Sequence, residues 1–423
     1  MKLCLTAATV IQNSAGGGAA VPKRYAKYLS KSHEVSLIGI GEERFEVIEE
    51  EDAVIFLVPK TFMSPFRIKG YLEPDKRLLD NIARFLSDQS VDHVHILEWE
   101  WLGLAFWTVC QNTGIPYSYK ALDYRLVCPR VFRISTLDQS FCNVADTDCY
   151  RCLSRNRPRL LVYVFNALKR FLRTGIIVDQ SLLALRKNRL VKCLEGAKFL
   201  LAGSPGQASL LNACFPSVHF EPCMWGGDMD PDFEKDYRET FRRPFKFTYT
   251  SRYCDEWGTD LLISAWSSLK ILPTTSKLVL YLPKGGNARV RAEHANLPDS
   301  IEIKEGFIAD RISSILTDAY VHIVPSRWID PGCYSAIDAL NRKTPVITAN
   351  NPGAGTDSLV EDGVNGLKYA YDSVESLAAT IQKAIEHPQW VEEMTRGMIP
   401  SYTMERELAY LLSRISDRNI AAV

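Results

Sequence analysis

Two aspartates, Asp330 and Asp338, are separated by seven residues in the segment that most constrains how this chain can fold. The apolar run 319–324 ends at a proline, which predicts a buried strand followed by a loop. The composition of 335–341 predicts a helix, and a second apolar strand begins at 344–347. A strand, loop and helix in this order are typical of an α/β site in which phosphates meet a helix N-terminus. We therefore expect Asp330 on the loop and Asp338 on the helix of a nucleotide-binding site.

The residues around both acids resemble the donor-site motif of retaining glycosyltransferases with the GT-B fold, in particular glycosyltransferase family 4. In that family Pro-Ser precedes the first acid, which is usually Glu, and a Glu-Ala-Leu/Met helix carries the second. Here Pro-Ser stands at 325–326, both acids are Asp, and Cys333 replaces a usual glycine. The resemblance continues in order through 343–349, 352–355 and 360–367. This ordered series is far more specific than any one of its motifs.

The resemblance implies an α/β fold of the GT-B type, with two Rossmann-like doubly wound domains facing a central cleft. A length of 423 residues suits two domains. We expect an N-terminal acceptor-side domain at 1–220, with a cysteine-containing insertion at about 123–158, and a nucleotide-sugar-binding domain at 221–400. The amphipathic end of the chain, 401–423, is expected to form a helix that packs back on the N-terminal domain.

Apolar runs predict the strands of both domains. In the first half they are 2–10, 33–39, 53–58, 91–97, 116–121 and 198–204. The last of these is taken as the final strand of its domain, and 221–233 as the passage between the domains. In the second half the predicted strands are 245–252, 277–282, 301–303, 321–324 and 345–348.

Composition argues against several partners and compartments. Lys and Arg number 50 against 50 Asp and Glu, so no global field favours nucleic acid, and we expect no nucleic-acid partner. The same balance disfavours a glycosyltransferase acting on modified DNA bases. The apolar stretch 1–10 is short, so we interpret it as a first core strand and not as a signal peptide. Eleven scattered cysteines indicate reduced thiols, so we expect a cytoplasmic protein. A cytoplasmic protein that contacts the inner face of a membrane is the second expected location.

By resemblance, Asp338 binds the ribose and Asp330 the sugar, together with the backbone that follows it. Arg252 would clamp the diphosphate of a UDP or GDP sugar as a planar fork, and the turn at 306–308 would meet the base. The full set of implied donor-binding residues is Gly16, Gly17, Gly18, Arg252, Phe307, Ile308, Asp330, Pro331, Gly332, Cys333, Tyr334 and Asp338. Structural alternatives are a turn cap for Asp330, a solvated helix position for Asp338, a surface role for Arg252, a core role for Phe307 and an ordinary loop for the glycines.

Two positions depart from the family pattern. Trp257 stands where the family has a second phosphate-binding lysine, so we expect weaker stabilisation of the diphosphate unless Lys284 or Arg327 compensates. Leu122 replaces the family histidine, and the following Asp123 is a candidate acceptor contact or, alternatively, a helix N-cap. The catalytic candidates are therefore Asp330, Arg252 and Asp123. No protein nucleophile is required in this family, because the departing phosphate oxygen can take the acceptor proton.

Four cysteines, Cys128, Cys142, Cys149 and Cys152, lie in one loop-rich stretch and have the ligand number of a tetrahedral zinc site. Only the last two have a standard spacing, so buried thiols, disulfides and an iron–sulfur cluster remain alternatives. A zinc ion here would be structural, and the resemblance implies no catalytic metal.

The segment 157–173 is basic and strongly apolar. It could lie on a membrane, which would suit a lipid-linked acceptor, but we favour a helix packed on its domain with a solvated basic side. The sequence thus predicts a retaining hexosyltransferase acting on a glycan, a lipid-linked glycan or a small molecule. The alternative is a GT-B scaffold with little or no turnover, which the replacements at Leu122 and Trp257 motivate.

Overall fold

The structure of the protein is a computed structural model, and it describes all residues except 11–16, 64–71, 134–141, 143–148, 156–157, 173–179, 270–273, 295, 308–310 and 418–423. The chain divides into two compact units. The first contains 1–203, 208–223 and 408–423, and the second contains 204–207 and 224–407.

The described part of the first unit contains one mixed sheet. Its strands are β1 (Lys2–Val10), β2 (Glu34–Gly41), β3 (Glu46–Glu50), β4 (Ala53–Pro59), β5 (His93–Ile96), β6 (Tyr117–Ala121), β7 (Leu200–Ala202) and β8 (Phe220–Pro222). They are ordered β3-β4-β2-β1-β5-β6-β7-β8. Every neighbouring pair is parallel except β3 with β4. Parallel strands need covered faces, and the near-continuous burial of β2 and β4 agrees with this.

Helices connect these strands. They are Gly17–Leu29, Lys76–Asp88, Ala105–Thr113, Cys149–Ser154, Arg159–Leu172, Gln180–Glu195 and Pro205–Cys214, with 3-10 turns at Lys60–Phe62 and Glu100–Leu102. Lys76–Asp88 illustrates why they form, because its buried residues Leu78, Ile82 and Phe85 recur at helical spacing. Its N-cap Asp75 accepts a hydrogen bond from the Arg77 N–H at 2.8 Å.

The second unit contains a parallel sheet with strands β9 (Phe245–Thr250), β10 (Ser276–Leu282), β11 (Ile301–Glu305), β12 (Val321–Val324), β13 (Val346–Asn350) and β14 (Gly366–Ala370). Their order is β11-β10-β9-β12-β13-β14. The helices and 3-10 turns are Tyr237–Thr240, Asp255–Trp257, Thr259–Ser268, Gly286–Glu293, Ile312–Leu316, Tyr334–Asn341, Gly355–Leu359, Val374–Glu386 and Pro388–Gly397. The last described helix of the chain, Met404–Ser416, only begins in this unit.

The last described helix belongs mostly to the first unit, since 408–423 cluster with it. Tyr410 donates to a Glu221 carboxylate oxygen at 2.6 Å, and Arg414 forms a salt bridge with the same carboxylate. Lys198 Nζ donates to the Ile415 carbonyl at 2.7 Å. These bonds hold the helix on the β7–β8 side of the sheet.

The predicted fold class, α/β with two doubly wound units, is confirmed. Two strand predictions are wrong in detail. Residues 198–204 do not form the final strand of the unit, because β8 pairs with β7 beyond it, and β8 includes Glu221 and Pro222, which had been assigned to the interdomain passage. Strands β3 and β14 were not predicted at all. No described helix is long and apolar enough to cross a membrane.

Candidate active site

The predicted donor residues of the second unit gather at one edge of its sheet. In a parallel sheet all carboxyl ends meet at the same edge, and ligands of α/β proteins bind there. Arg252 follows β9, Lys284 follows β10, Asp330 follows β12 and Gly355 follows β13. The topology therefore brings together the residues that the motifs placed in separate parts of the sequence.

Asp330 lies on the loop between β12 and the helix Tyr334–Asn341, as predicted, and its side chain is buried. Its Oδ1 accepts a hydrogen bond from the Gly332 N–H at 3.1 Å. Its backbone carbonyl accepts from the Gly355 N–H at 2.5 Å, which ties the loop to the one after β13. Burial raises the pKa of Asp330 to about 7, against the opposing effects of the Gly332 N–H and the Cys333 side chain. Asp330 is thus a buried carboxyl group poised to titrate near neutral pH.

Two glycines allow this close packing. A Cβ added to Gly355 would lie 2.8 Å from the Pro331 carbonyl carbon and 2.9 Å from the Asp330 carbonyl oxygen. A Cβ added to Gly332 would lie 2.4 Å from the indole of Trp225. Neither position has room for a side chain, so both glycines are needed for the loop conformation that places Asp330.

Asp338 lies on the helix Tyr334–Asn341, as predicted, but it is buried, which excludes the solvated alternative for this residue. Arg342 Nη1 lies 3.5 Å from Asp338 Oδ1 and donates to the Asp338 backbone carbonyl at 3.3 Å. A Cβ added to Gly227 would lie 3.2 Å from the same Oδ1, so the 226–228 backbone passes close to this carboxylate. Tyr334, the first residue of the helix, packs against Trp225 with ring centroids 4.7 Å apart.

Arg252 and Lys284 are the exposed cations at this edge. The carboxyl ends of their strands are neighbours, since Thr250 of β9 pairs with Tyr281 of β10. The Arg252 backbone carbonyl accepts hydrogen bonds from the Tyr249 hydroxyl at 2.9 Å and the Thr259 hydroxyl at 3.2 Å, which hold the backbone of this loop in place. Both residues have the charge and exposure that binding of a diphosphate requires.

Trp257 and Arg327 are structural in this arrangement. The Trp257 ring packs edge-on against Trp328 with centroids 5.0 Å apart. Arg327 forms a bidentate pair with Asp260 at 2.7 and 2.9 Å and a second bond to Asp372 at 2.5 Å. Of the two cations that could compensate for the missing lysine, Arg327 is therefore engaged by two carboxylates, and Lys284 is the better placed.

The other predicted donor residues lie in several parts of the chain. Phe307 is half-buried after β11, and its N–H donates to the Leu282 carbonyl at 3.1 Å, so it is not a core residue. Gly17 and Gly18 open the first helix after β1. Gly16 and Ile308 lie outside the described residues. Pro331, Gly332 and Cys333 are buried around Asp330.

A second set of charges lies at the carboxyl ends of β5 and β6 in the first unit. Arg125 is surrounded by three carboxylates: its Nη1 lies 2.6 Å from Glu98, its Nε lies 3.1 Å from Asp123, and it also pairs with Glu100. Asp123 Oδ1 accepts from the Arg125 N–H at 2.8 Å, so it caps a turn and not a helix. The adjacent Leu122 is buried.

Burial dominates the electrostatics of this cluster. It raises the pKa of Glu100 to about 7, opposed by Arg125 and reinforced by the neighbouring carboxylates. It also raises the pKa values of Glu98 and Asp123. Glu98 and Glu100 were missed by sequence reasoning; the signal was two acids immediately after the apolar strand β5.

Burial raises the pKa of the Cys149 thiol to about 11, and the other three candidate zinc ligands, Cys128, Cys142 and Cys152, contribute to this rise. However, no three His, Cys, Asp or Glu side chains in the described ranges are placed to hold a metal ion. The geometry gives structural zinc no support, and it stays a prediction that native mass spectrometry with and without a chelator can test. None of the eleven cysteines, all of them described, forms a disulfide.

Residues 232–399 match the family described as glycosyl transferases group 1. This range contains Arg252, Asp330 and Asp338 and most of the second unit. None of the curated proteins matches the chain by sequence.

Solved structures with a similar fold cover nearly the whole chain. Sucrose-phosphate synthase from Thermosynechococcus elongatus is 16% identical with a TM-score of 0.67, over 98% of each chain. Anabaena HepE, in complex with UDP and glucose, is 15% identical with a TM-score of 0.63, over 98% of this chain and 99% of that one. A UDP-forming α,α-trehalose-phosphate synthase from Burkholderia xenovorans is 10% identical with a TM-score of 0.63, over 98% and 100% of the two chains. At such identities the likeness shows the fold alone.

The two sheets and their connecting helices have the GT-B fold of these solved structures. The match over residues 232–399 includes both aspartates of the donor-site motif, and it agrees with the resemblance drawn from that motif.

Proposed function

We propose that the protein is a retaining hexosyltransferase. It would move a hexosyl unit from a nucleotide-diphosphate sugar to a hydroxyl of a glycan, a lipid-linked glycan or a small molecule. The observation that carries the proposal is the placement of buried Asp330 on the same sheet edge as the exposed cations Arg252 and Lys284. A sugar needs a carboxylate for its hydroxyls, and its leaving diphosphate needs cations.

In this reaction the bond between the sugar C1 and the diphosphate oxygen breaks, and a new C1–O bond to the acceptor forms on the same face. The acceptor proton passes to the departing phosphate oxygen, so no protein base is required at that step. Arg252 and Lys284 stabilise the charge that develops on the leaving group. Asp330 and the amides after it orient the sugar, and Asp338 is assigned to the ribose. The UDP and glucose named for Anabaena HepE make UDP-glucose a sensible first donor to test.

Asp330→Asn tests the proposal in assays with a panel of UDP and GDP hexoses. We expect kcat/KM for donor hydrolysis or transfer to fall about 10- to 100-fold, the equivalent of about 1.5–3 kcal/mol for a hydrogen bond to a charged group. Asp318→Asn is the matched control, because Asp318 lies before β12 and Asp330 lies after it. An equal loss in both variants, or none in Asp330→Asn, would contradict the assignment.

The second candidate is a GT-B scaffold with little or no turnover. It is favoured by Trp257, which packs on Trp328 where the family has a lysine, and by Leu122, which is buried where the family has a histidine. Nucleotide binding measured by calorimetry without any hydrolysis or transfer across the donor panel would support the scaffold. Turnover that is lost in Asp330→Asn would exclude it.

A further inference from the structure

The helix Arg159–Leu172 turns apolar side chains toward solvent. The exposed fractions of Leu161, Val164 and Leu168 are 47%, 54% and 50%, and that of Tyr163 is 72%. Val162, by contrast, is 5% exposed. The expectation that the helix packs on its domain by its apolar side is therefore wrong for these four residues, whereas the side chains of Arg159, Lys169 and Arg170 lie outside the described ones.

These residues form one continuous surface. Leu161, Val164 and Leu168 are spaced by three and four residues, so they lie on the same side of the helix. Tyr163 flanks this row. We call Leu161, Tyr163, Val164 and Leu168 the apolar face. Scattered exposed apolar residues need no explanation, but a contiguous row along a helix marks an interaction surface.

The surrounding sequence is strongly basic. Residues 149–195 contain eleven Lys and Arg against two Asp and Glu, although the whole chain has 50 of each. Among the described side chains of this region, Arg151, Arg155, Lys187, Arg189 and Lys192 are exposed. Four of them lie on the helices Cys149–Ser154 and Gln180–Glu195, which contact each other, and Arg155 directly follows the first of these helices. The positive charge is therefore concentrated in the stretch of sequence, 149–195, that contains the apolar face.

We propose that the apolar face docks on an anionic phospholipid surface, with the helix Arg159–Leu172 lying in the plane of the membrane. The apolar side chains would enter the boundary between the lipid headgroups and the acyl chains, while Lys and Arg side chains meet the lipid phosphates. Both interactions add to the affinity for the membrane. A nucleic acid would neutralise the basic side chains but would leave the apolar face exposed to water. A second copy of the chain would cover the apolar face but would bring two basic regions together. Neither this surface nor its test depends on the donor site.

Sedimentation of the full chain with vesicles tests the proposal. We expect binding to equimolar phosphatidylcholine–phosphatidylglycerol vesicles, weak binding to phosphatidylcholine alone, and a decrease as salt screens the charges. The double variant Val164→Ser/Leu168→Ser should bind anionic vesicles about tenfold more weakly, since it removes buried apolar area. Ile399→Ser is the matched control, because Ile399 is 82% exposed in the other unit and should leave binding unchanged.

Both mutated residues are at least half exposed, so the double variant should unfold thermally like the wild type. Wild-type binding that ignores lipid charge, or equal losses in the double variant and in Ile399→Ser, would overturn the proposal. A wild-type dimer that dissociates in the double variant would assign the face to a second copy instead. Salt-sensitive oligonucleotide binding without vesicle binding would also overturn it.

Discussion

The two units hold their buried carboxylates in opposite ways. In the second unit Asp330 is buried with only a backbone N–H and a thiol to oppose its burial, and its pKa rises to about 7. In the first unit Glu98, Glu100 and Asp123 share one guanidinium, that of Arg125. The pKa of Glu100 reaches a similar value, but there burial is offset by a cation and reinforced by other acids.

This difference in charged partners distinguishes Asp330, a candidate ligand-binding residue, from the carboxylates around Arg125, which pair within the protein. The carboxylates around Arg125 already have a charged partner within the protein, so removing that partner should cost stability. Asp330 has no such cation among its assigned partners, so its ionised form is best satisfied by donors from outside, such as sugar hydroxyls. We therefore expect changes in the first cluster to act on folding and changes at Asp330 to act on ligand binding and pH dependence.

The largest effect is expected for Arg125→Met. It leaves three buried carboxylates without their cation, and breaking a buried pair in this way costs about 3–5 kcal/mol. Urea unfolding of the variant should show the loss. Arg327→Met is the matched control, because Asp260 and Asp372 are partly exposed at 36% and 47% and such pairs contribute about 1 kcal/mol or less. Equal losses of unfolding free energy in the two variants would contradict the distinction between the buried carboxylates of Arg125 and the partly exposed ones of Arg327.

The next effect concerns pH. Because the pKa of Asp330 rises from 3.8 to about 7 on folding, the folded state binds more protons between these values, and stability should fall as pH rises from about 4 to about 7. Asp330→Asn lacks this component. The free energy of unfolding of the variant relative to wild type should therefore increase with pH, by a total on the order of 4 kcal/mol. Parallel stability curves from pH 4 to pH 8, measured with urea, would contradict the assignment.

The smallest effect is expected for the exposed cation Lys284. Lys284→Met should weaken UDP binding about tenfold, about 1.4 kcal/mol, since one charge-assisted contact to the diphosphate is lost. Lys277→Met is the control, because Lys277 lies near the start of β10 and Lys284 follows its end. Isothermal titration with UDP measures both. If Arg327→Met weakens UDP binding more than Lys284→Met does, the choice between the two cations is wrong.

Much of the fold could be predicted because buried parallel strands are apolar throughout. β1 and β12 were predicted at their observed bounds, Lys2–Val10 and Val321–Val324. β3 was missed because Glu46–Glu50 is an exposed edge strand with few apolar residues. β8 was missed because Phe220–Pro222 is short and ends in proline, which suits an edge strand and resembles a loop in sequence.

The site could be predicted in part. Asp330 on a loop and Asp338 on a helix followed from local patterns, but their burial did not, because it depends on loops that approach from β13 and from 225–227. The engagement of Arg327 by Asp260 and Asp372 also depends on distant segments. The Arg125 cluster joins residues from two strand ends about 25 positions apart, and no periodicity marks such a contact.

The pairing of Glu221 with Tyr410 and Arg414 has a consequence for the order of folding during synthesis. The first unit is made first but is closed only by 408–423, whereas most of the second unit is the continuous stretch 224–407. The ribosome therefore supplies every residue of the later unit before it supplies the last helix of the earlier one. A nascent chain stalled before residue 408 would carry a complete second unit and a first unit whose β8 edge lacks its covering helix.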